Sequence, residues 1–411
     1  MRNTAAGAPG RKGWKIGLTA AICAVVVAGG IGVATAPTWA VASVQSDQQS
    51  PVRAAPGLGA PVVKPLELGV TPTADALEVN PGTPAVVRAA NGTVVSVSLK
   101  DDSGTEVPGT VSADGSTWTS TGQLGFDTGY RYEYTVRDAA GRQTHKTESF
   151  HTVVKANEAN AWTYIGNGVQ VGVAQPVQIT FSEPVTNKAA VEKAIRITTS
   201  DGRTGAFHWY SDTMVRYRPE AFWTANSTVS VDMELFGVDF GNGQIGNFNK
   251  KVTMKIGDKK VAVADAVAKT FDVYVNDVLT KQWPVTMGDE RFPSAPGYLV
   301  MMDHQRNAHF VASTIGLKPG DPADYGELDV EYATRLTPSG EFIHGAPWAA
   351  QYFGVTNISH GCIGMSLDGA GWVFNNMGVG DTVQVVNSAG EPALLTDGFQ
   401  DWNIPWAQYA N

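Results

Sequence analysis

The chain has 411 residues, 43% of them apolar and 17% charged, which is a globular composition long enough for about two to four domains. A formal net charge of −9 argues against nucleic acid as a partner, because phosphate binding needs a basic face. The acidity gathers late: from Asp258 onward there are 8 Lys and Arg against 18 Asp and Glu, a balance that suits solubility and would sooner attract an amine than a phosphate.

Residues 1–40 read as an address. Arg2, Arg11, Lys12 and Lys15 precede an apolar run from Ile16 to about Ala36, and small residues close it at Ala34-Thr35-Ala36 or Thr38-Trp39-Ala40. A cleaved signal peptide and a retained membrane anchor both fit, and either places the rest of the chain outside the cytoplasm. Residues 41–62, rich in Ser, Gln, Pro, Ala and Gly, read as a linker.

From 63 to 153 the pattern is strand and turn. Val94–Leu99 and Tyr130–Val136 alternate with period two, and Asp101-Asp102-Ser103-Gly104 and Asp138-Ala139-Ala140-Gly141 punctuate them. The spacing predicts an immunoglobulin-like sandwich. A second such module is expected over 154–256. Its strands are Val177–Phe181, the pair Ala206–Tyr210 and Val215–Pro219, and Val229–Met233, with a short helix from Asn187 to Ile195. The expected fold class is mainly β.

The last module, 257–390, continues with strands at Val261–Val263, Thr270–Val275, Gly297–Met302 and Thr382–Val386, and one helix over Leu367–Met377. A strand from Gly340 to Ile343 is expected to deliver His344 at its end, with Ala349 to Asn357 as a flexible loop. His304 and His309 are read as a polar hairpin turn, and Asp289-Glu290-Arg291 as a solvated turn. The tail, 391–411, carries Trp402 and Trp406 and is expected to pack back on the catalytic module.

The chain has two cysteines. Cys23 lies inside the apolar leader, so Cys362 stands alone in the exported part. A free thiol in an oxidising compartment calls for a use other than a disulfide. A lone cysteine is ordinarily a small buried hydrophobe. Here, however, the run Ile358-Ser359-His360-Gly361-Cys362-Ile363-Gly364 places a histidine two residues away, and His344 lies eighteen residues upstream. Cysteine catalysis needs a thiolate, a base and oxyanion donors. The amides of Gly361 and Cys362 suit the last role, and His344 and His360 are the two choices of base. A zinc site built on the same residues lacks the paired ligand spacing that would support it.

These residues resemble a family. His344-Gly345-Ala346-Pro347-Trp348 through Ser359-His360-Gly361-Cys362 looks like the signature of L,D-transpeptidases of the mycobacterial and actinobacterial type. The likeness extends to Met287-Gly288, to Pro293–Gly297, to Gly380–Val383 and to the Asp401–Trp406 tail. It implies two sandwich spacers before a β-rich catalytic domain. It also implies acyl transfer on peptidoglycan stem peptides without metal or cofactor: Cys362 forms a thioester on a tetrapeptide stem, and a neighbouring stem amine resolves it into a 3→3 cross-link. By the same resemblance His344 is the general base, oriented by the carbonyl of Gly345 or a neighbour, and His360 supports the loop. Tyr325, Ser339, Gly340, Trp348 and Ser359 contact substrate, and carbapenem β-lactams are covalent inhibitors. Gly364 replaces an Asn or Arg and Ile315 a Tyr of close relatives, which bears on acceptor choice. An L,D-carboxypeptidase with the same nucleophile and a wall-binding scaffold with an idle catalytic domain are the rival readings.

Overall fold

The computed structural model describes residues 64–411. The expected leader and linker, 1–62, lie outside the described residues. The chain is mainly β. In the first sandwich one sheet runs Glu67–Thr71, Val86–Ala90, Thr117–Ser120, Gly109–Val111, and the facing sheet runs Ala76–Val79, Gln143–Thr152, Gly129–Asp138, Gly92–Asp101. Tyr130, Tyr132, Tyr134 and Val136 all point inward from one long strand, which is the period-two alternation seen in the sequence. Tyr130 stacks on Phe150 at 5.2 Å.

The second sandwich pairs Ala161–Thr163, Val177–Phe181, Met214–Arg218 and Ala206–Ser211 against Gln170–Val171, Asn249–Ile256, Thr228–Glu234 and Ile195–Thr199. Phe181, Trp223, Met233 and Phe240 fill its core. The helix covers only Lys188–Lys193, and Asn187 at its N-cap makes no side-chain cap. The two sandwiches meet where Gly82 and Gly237 touch. A side-chain carbon on either would come within 2.6 Å of the other's Cα, so both positions demand glycine. Asn80 Nδ2 donates to the Gly237 carbonyl at 2.7 Å beside them.

The catalytic module holds nine strands, labelled here β1 (Lys260–Asp265), β2 (Thr270–Val275), β3 (Val278–Pro284), β4 (Gly297–Val300), β5 (Asp303–Val311), β6 (Glu327–Arg335), β7 (Phe342–Gly345), β8 (Ile363–Met365) and β9 (Thr382–Val386). One sheet has the order β3-β2-β1-β9-β4 and the other β5-β6-β7-β8. Helix α1 (Leu367–Asn376) packs between them, its first turn capped by the Ser366 hydroxyl, which accepts from the Gly369 N–H. Ile343, Ile363, Met365, Met287 and Val373 share the core here, each burial contributing roughly 1.5–3 kcal/mol. That core anchors the short strands β7 and β8, which pair in parallel from Ile343 opposite Ile363 to Gly345 opposite Met365. The chain segments before β8 and around β7 line a cavity.

Several expectations are corrected. His344 lies inside β7 rather than at a strand end, because β7 begins at Phe342 and includes Gly345. The segment after Pro347 forms a 3₁₀ helix to Tyr352, and Thr286 and Asn357 pin the chain that follows it. His304 and His309 lie along β5, not in a turn. The Asp289–Arg291 turn is solvent-exposed at Glu290 and Arg291, as expected, and Arg291 donates two hydrogen bonds to Asp321 in the segment after β5, at 2.8 and 2.7 Å. The tail contacts the catalytic module at Tyr298 and Ser339, but it docks as heavily on the second sandwich. There Asp401 pairs with Arg216 at 2.9 Å, both buried, and Arg218 lies under the rings of Trp402, Trp406 and Tyr409. Apolar and cationic side chains of Met214–Arg218 thus give the tail a better seat than the catalytic surface alone. Among the described residues, no helix is long and apolar enough to cross a membrane.

Candidate active site

A cavity of about 560 Å³ opens in the catalytic module, and Cys362, His344, His360, Ser359, Tyr325, Ser339, Gly340 and Trp348 all line it. The two residues on which the sequence reading departed from close relatives, Gly364 and Ile315, line it too.

Cys362 sits half-buried just before β8, packed against the cluster of Ala308, Val330, Ala333 and Phe342. Its loop is built rigidly. Gly361 has φ +113°, a conformation that side chains strain to adopt. The Gly361 carbonyl accepts from Ser294 Oγ at 2.6 Å, and the Cys362 carbonyl accepts from Ser359 Oγ at 2.6 Å. The Ser359 N–H donates to the Met287 carbonyl at 3.0 Å and the Asp289 N–H donates to the Ser359 carbonyl at 3.0 Å, which fixes the loop's entry. The thiol itself donates to the Gly340 carbonyl at 3.6 Å. Burial pushes the thiol up to about 12, and the nearby charge of Glu341 adds to that.

His344 is 6% exposed. Its Nδ1 lies 2.9 Å from the Gly345 carbonyl. A carbonyl oxygen only accepts, so Nδ1 carries the proton and Nε2 keeps its lone pair. Phe310 packs edge-on to the ring at 5.5 Å, and Trp348 stacks over it at 6.0 Å. Burial lowers the imidazole's proton affinity, and the Gly345 carbonyl partly offsets this. The ring is therefore neutral at neutral pH, the form a general base requires.

His360 stands apart from that pair. It packs between Phe292, at 4.9 Å, and Tyr325, at 5.2 Å, on the wall of the cavity. Tyr325 is thereby tied to the cysteine loop through an aromatic contact. Ser339 is engaged already: its N–H and hydroxyl both donate to Asp397 of the tail, at 2.9 and 2.5 Å. Gly364 is enclosed, since a side-chain carbon there would meet Thr286 Cγ2 at 3.1 Å and Ala346 Cβ at 3.3 Å. Phe310 and Asp397 have no mark in their local spacing, because each meets the site from a distant segment; Ser294 lies in the Pro293–Gly297 run, but its grip on the Gly361 carbonyl is visible only in the structure.

Residues 76–239 match the family model described as a bacterial Ig domain, and residues 259–385 match the L,D-transpeptidase catalytic domain. L,D-transpeptidase 2 of Mycobacterium tuberculosis (strain CDC 1551 / Oshkosh) is 37% identical over 343 residues, 84% of this chain and 84% of that protein. L,D-transpeptidase 1 of Mycobacterium tuberculosis (strain ATCC 25618 / H37Rv) is 36% identical over 220 residues, 54% of this chain and 82% of that protein. A solved structure of an L,D-transpeptidase in complex with imipenem aligns with a TM-score of 0.49 at 35% identity, over 55% of this chain and 97% of that one.

Proposed function

The chain belongs to the L,D-transpeptidase family, and we propose that it transfers acyl groups between peptidoglycan stem peptides through a thioester on Cys362. In this reading Cys362 Sγ attacks the carbonyl of the third stem residue while His344 Nε2 takes the thiol proton. The tetrahedral intermediate collapses, its C–N bond breaks, and His344 returns the proton to the departing D-Ala amine. An amine of a neighbouring stem then attacks the thioester, His344 takes the amine proton, and the thiol is restored as the 3→3 link forms.

The observation that carries the reading is the orientation of His344: a buried ring, tautomer set by the Gly345 carbonyl, in the same cavity as the thiol. The N–H groups of Gly361 and Cys362 serve as oxyanion donors; among the described residues they make no turn or loop hydrogen bond. Tyr325 and Trp348 hold the stem, His360 braces Tyr325, and the Ser339–Gly340 turn and Ser359 border the acyl group. Carbapenem-type β-lactams are expected to acylate the same thiol; a similar solved structure is a complex with imipenem. The chain works at the cell wall, exported by its first forty residues.

The test is mass spectrometry of the protein incubated with a disaccharide tetrapeptide, beside Cys362→Ala. A cross-linked dimer that has lost one D-Ala, absent from the variant, is the expected result. Tripeptide without dimer assigns an L,D-carboxypeptidase instead. No change with folded protein assigns a wall-binding scaffold.

A further inference from the structure

Glu341 occupies an unusual place. It lies in the turn between β6 and β7, directly after Gly340, whose carbonyl takes the thiol, and three residues before His344. Its Oε1 accepts from the Ala295 N–H at 2.8 Å. Its Oε2 is buried and has no partner among the described residues. The carboxyl stands directly behind the cysteine loop, since a side-chain carbon on Gly361 would come within 3.4 Å of Oε1. The neighbouring Ser294 grips the same loop: its hydroxyl donates to the Gly361 carbonyl and accepts from the Gly288 N–H at 3.0 Å. Glu341, Ser294 and Ala295 thus form the back wall of the nucleophile.

An amide or an apolar side chain could build such a wall without burying an ionisable oxygen unpaired, which is costly. The charged groups that face the carboxyl give it no relief. Asp397 from the tail is an anion, Cys362 from the cysteine loop becomes one, and the Pro293–Ala295 segment offers only an N–H. No Lys, Arg or His forms an ion pair with Glu341 among the described residues.

We propose that Glu341 is a positioning residue of the cysteine loop whose carboxyl must be neutral for Cys362 to ionise readily, so that its charge restrains the nucleophile. Burial pushes the carboxyl up to about 7, with Asp397 adding to the effect. Below that pH the carboxyl is uncharged and the thiolate forms against a neutral wall. Above it the two anions oppose one another through the Gly361 turn. The proposal rests on Cys362 as the nucleophile of the proposed function.

The test is the rate of iodoacetamide alkylation of Cys362 in the full chain, followed by mass spectrometry from pH 5.5 to 9. Glu341→Gln keeps an oxygen for the Ala295 N–H and cannot ionise. The variant should react about tenfold faster than the natural chain at pH 9, and the ratio should fall toward one at pH 5.5. The natural chain alone should show the coupling as a break near pH 7, above which its rate climbs less than tenfold per pH unit before recovering. The break should persist in His344→Gln, where the base cannot contribute. A ratio that is the same at every pH, whether one or not, overturns the proposal, because a structural role acts independently of pH. An unbroken natural profile overturns it even if Glu341→Gln fails to fold. Alkylation reads the thiol itself, so a failed cross-linking assay with the pH-dependent ratio intact would sink the functional reading and leave the coupling standing.

Discussion

The resting state of the Cys362–His344 pair is open to a sharp test. The thiol is turned to the Gly340 carbonyl, and burial holds it near 12. Burial also lowers the imidazole. Both shifts favour two neutral groups over a thiolate–imidazolium pair. At pH 7 a thiol titrating near 12 is about 10⁻⁵ thiolate, whereas a free cysteine near 8.5 is about 3%. That is a deficit of roughly 3,000-fold. The more basic thiolate is intrinsically more nucleophilic, by about thirtyfold over this span, which leaves alkylation about a hundredfold slower than that of free cysteine. The perturbation is His344→Gln. If the histidine acts only when a carbonyl substrate arrives, the change leaves iodoacetamide alkylation within about threefold and slows carbapenem acylation by about 10²–10⁴. Stopped-flow absorbance reads the acylation, and mass spectrometry reads the alkylation. Two results refute the reasoning: alkylation of the natural chain at the free-cysteine rate, or a loss of alkylation in His344→Gln as large as the loss of acylation. Either would mean a preformed ion pair.

Two further perturbations follow from the packing. Asp401→Ala strips the buried Arg216 guanidinium of its anion and removes the acceptor of the Tyr210 hydroxyl, at a cost of roughly 3–5 kcal/mol. Faster hydrogen exchange confined to residues 399–409 and a lower thermal midpoint are expected; unchanged protection there would contradict the assignment of that pair as the tail's anchor. Gly364→Asn must displace Thr286 Cγ2 and Ala346 Cβ by a few tenths of an ångström and should destabilise the chain by about 1–3 kcal/mol in denaturant titration.

The strands that alternate strictly were legible in the sequence, as Tyr130 to Val136 shows, because one face is buried and the other wet. The cysteine loop was legible for a different reason: Gly361 between a histidine and a cysteine is a chemical pattern, not a periodic one. β7 was only half legible. Four consecutive buried residues from Phe342 to Gly345 leave no alternation to place its end, so the strand was ended at Ile343, two residues too early, and His344 fell outside it. β5 was missed because its outward residues are Arg306, Asn307 and His309 and only Ala308 is fully buried, a polar pattern that reads as turn. Side chains that meet across long separations left no trace. Ser339 and Asp397 lie 58 residues apart, and Arg291 and Asp321 lie 30 apart.

The tail gives those long separations a common consequence. Asp397 takes both donors of Ser339, and Ser339 precedes the glycine whose carbonyl receives the thiol. Four residues on, Asp401 is locked in the second sandwich by Arg216 and Tyr210, and Trp402 donates to the Ala174 carbonyl at 2.7 Å. A run of six residues therefore ties the turn beside Cys362 to the second sandwich. Direct backbone contacts reinforce the tie, with Gly172 donating to the Val379 carbonyl and Ala174 to the Gly380 carbonyl. A turn held only by its own chain would pay the ordering entropy of each residue when substrate binds. Held from outside, the turn is already ordered before any ligand enters the cavity it lines. The second sandwich thus supports, through the tail, the turn that borders the cavity, and the wall behind Cys362 is built from segments that only the whole fold brings together.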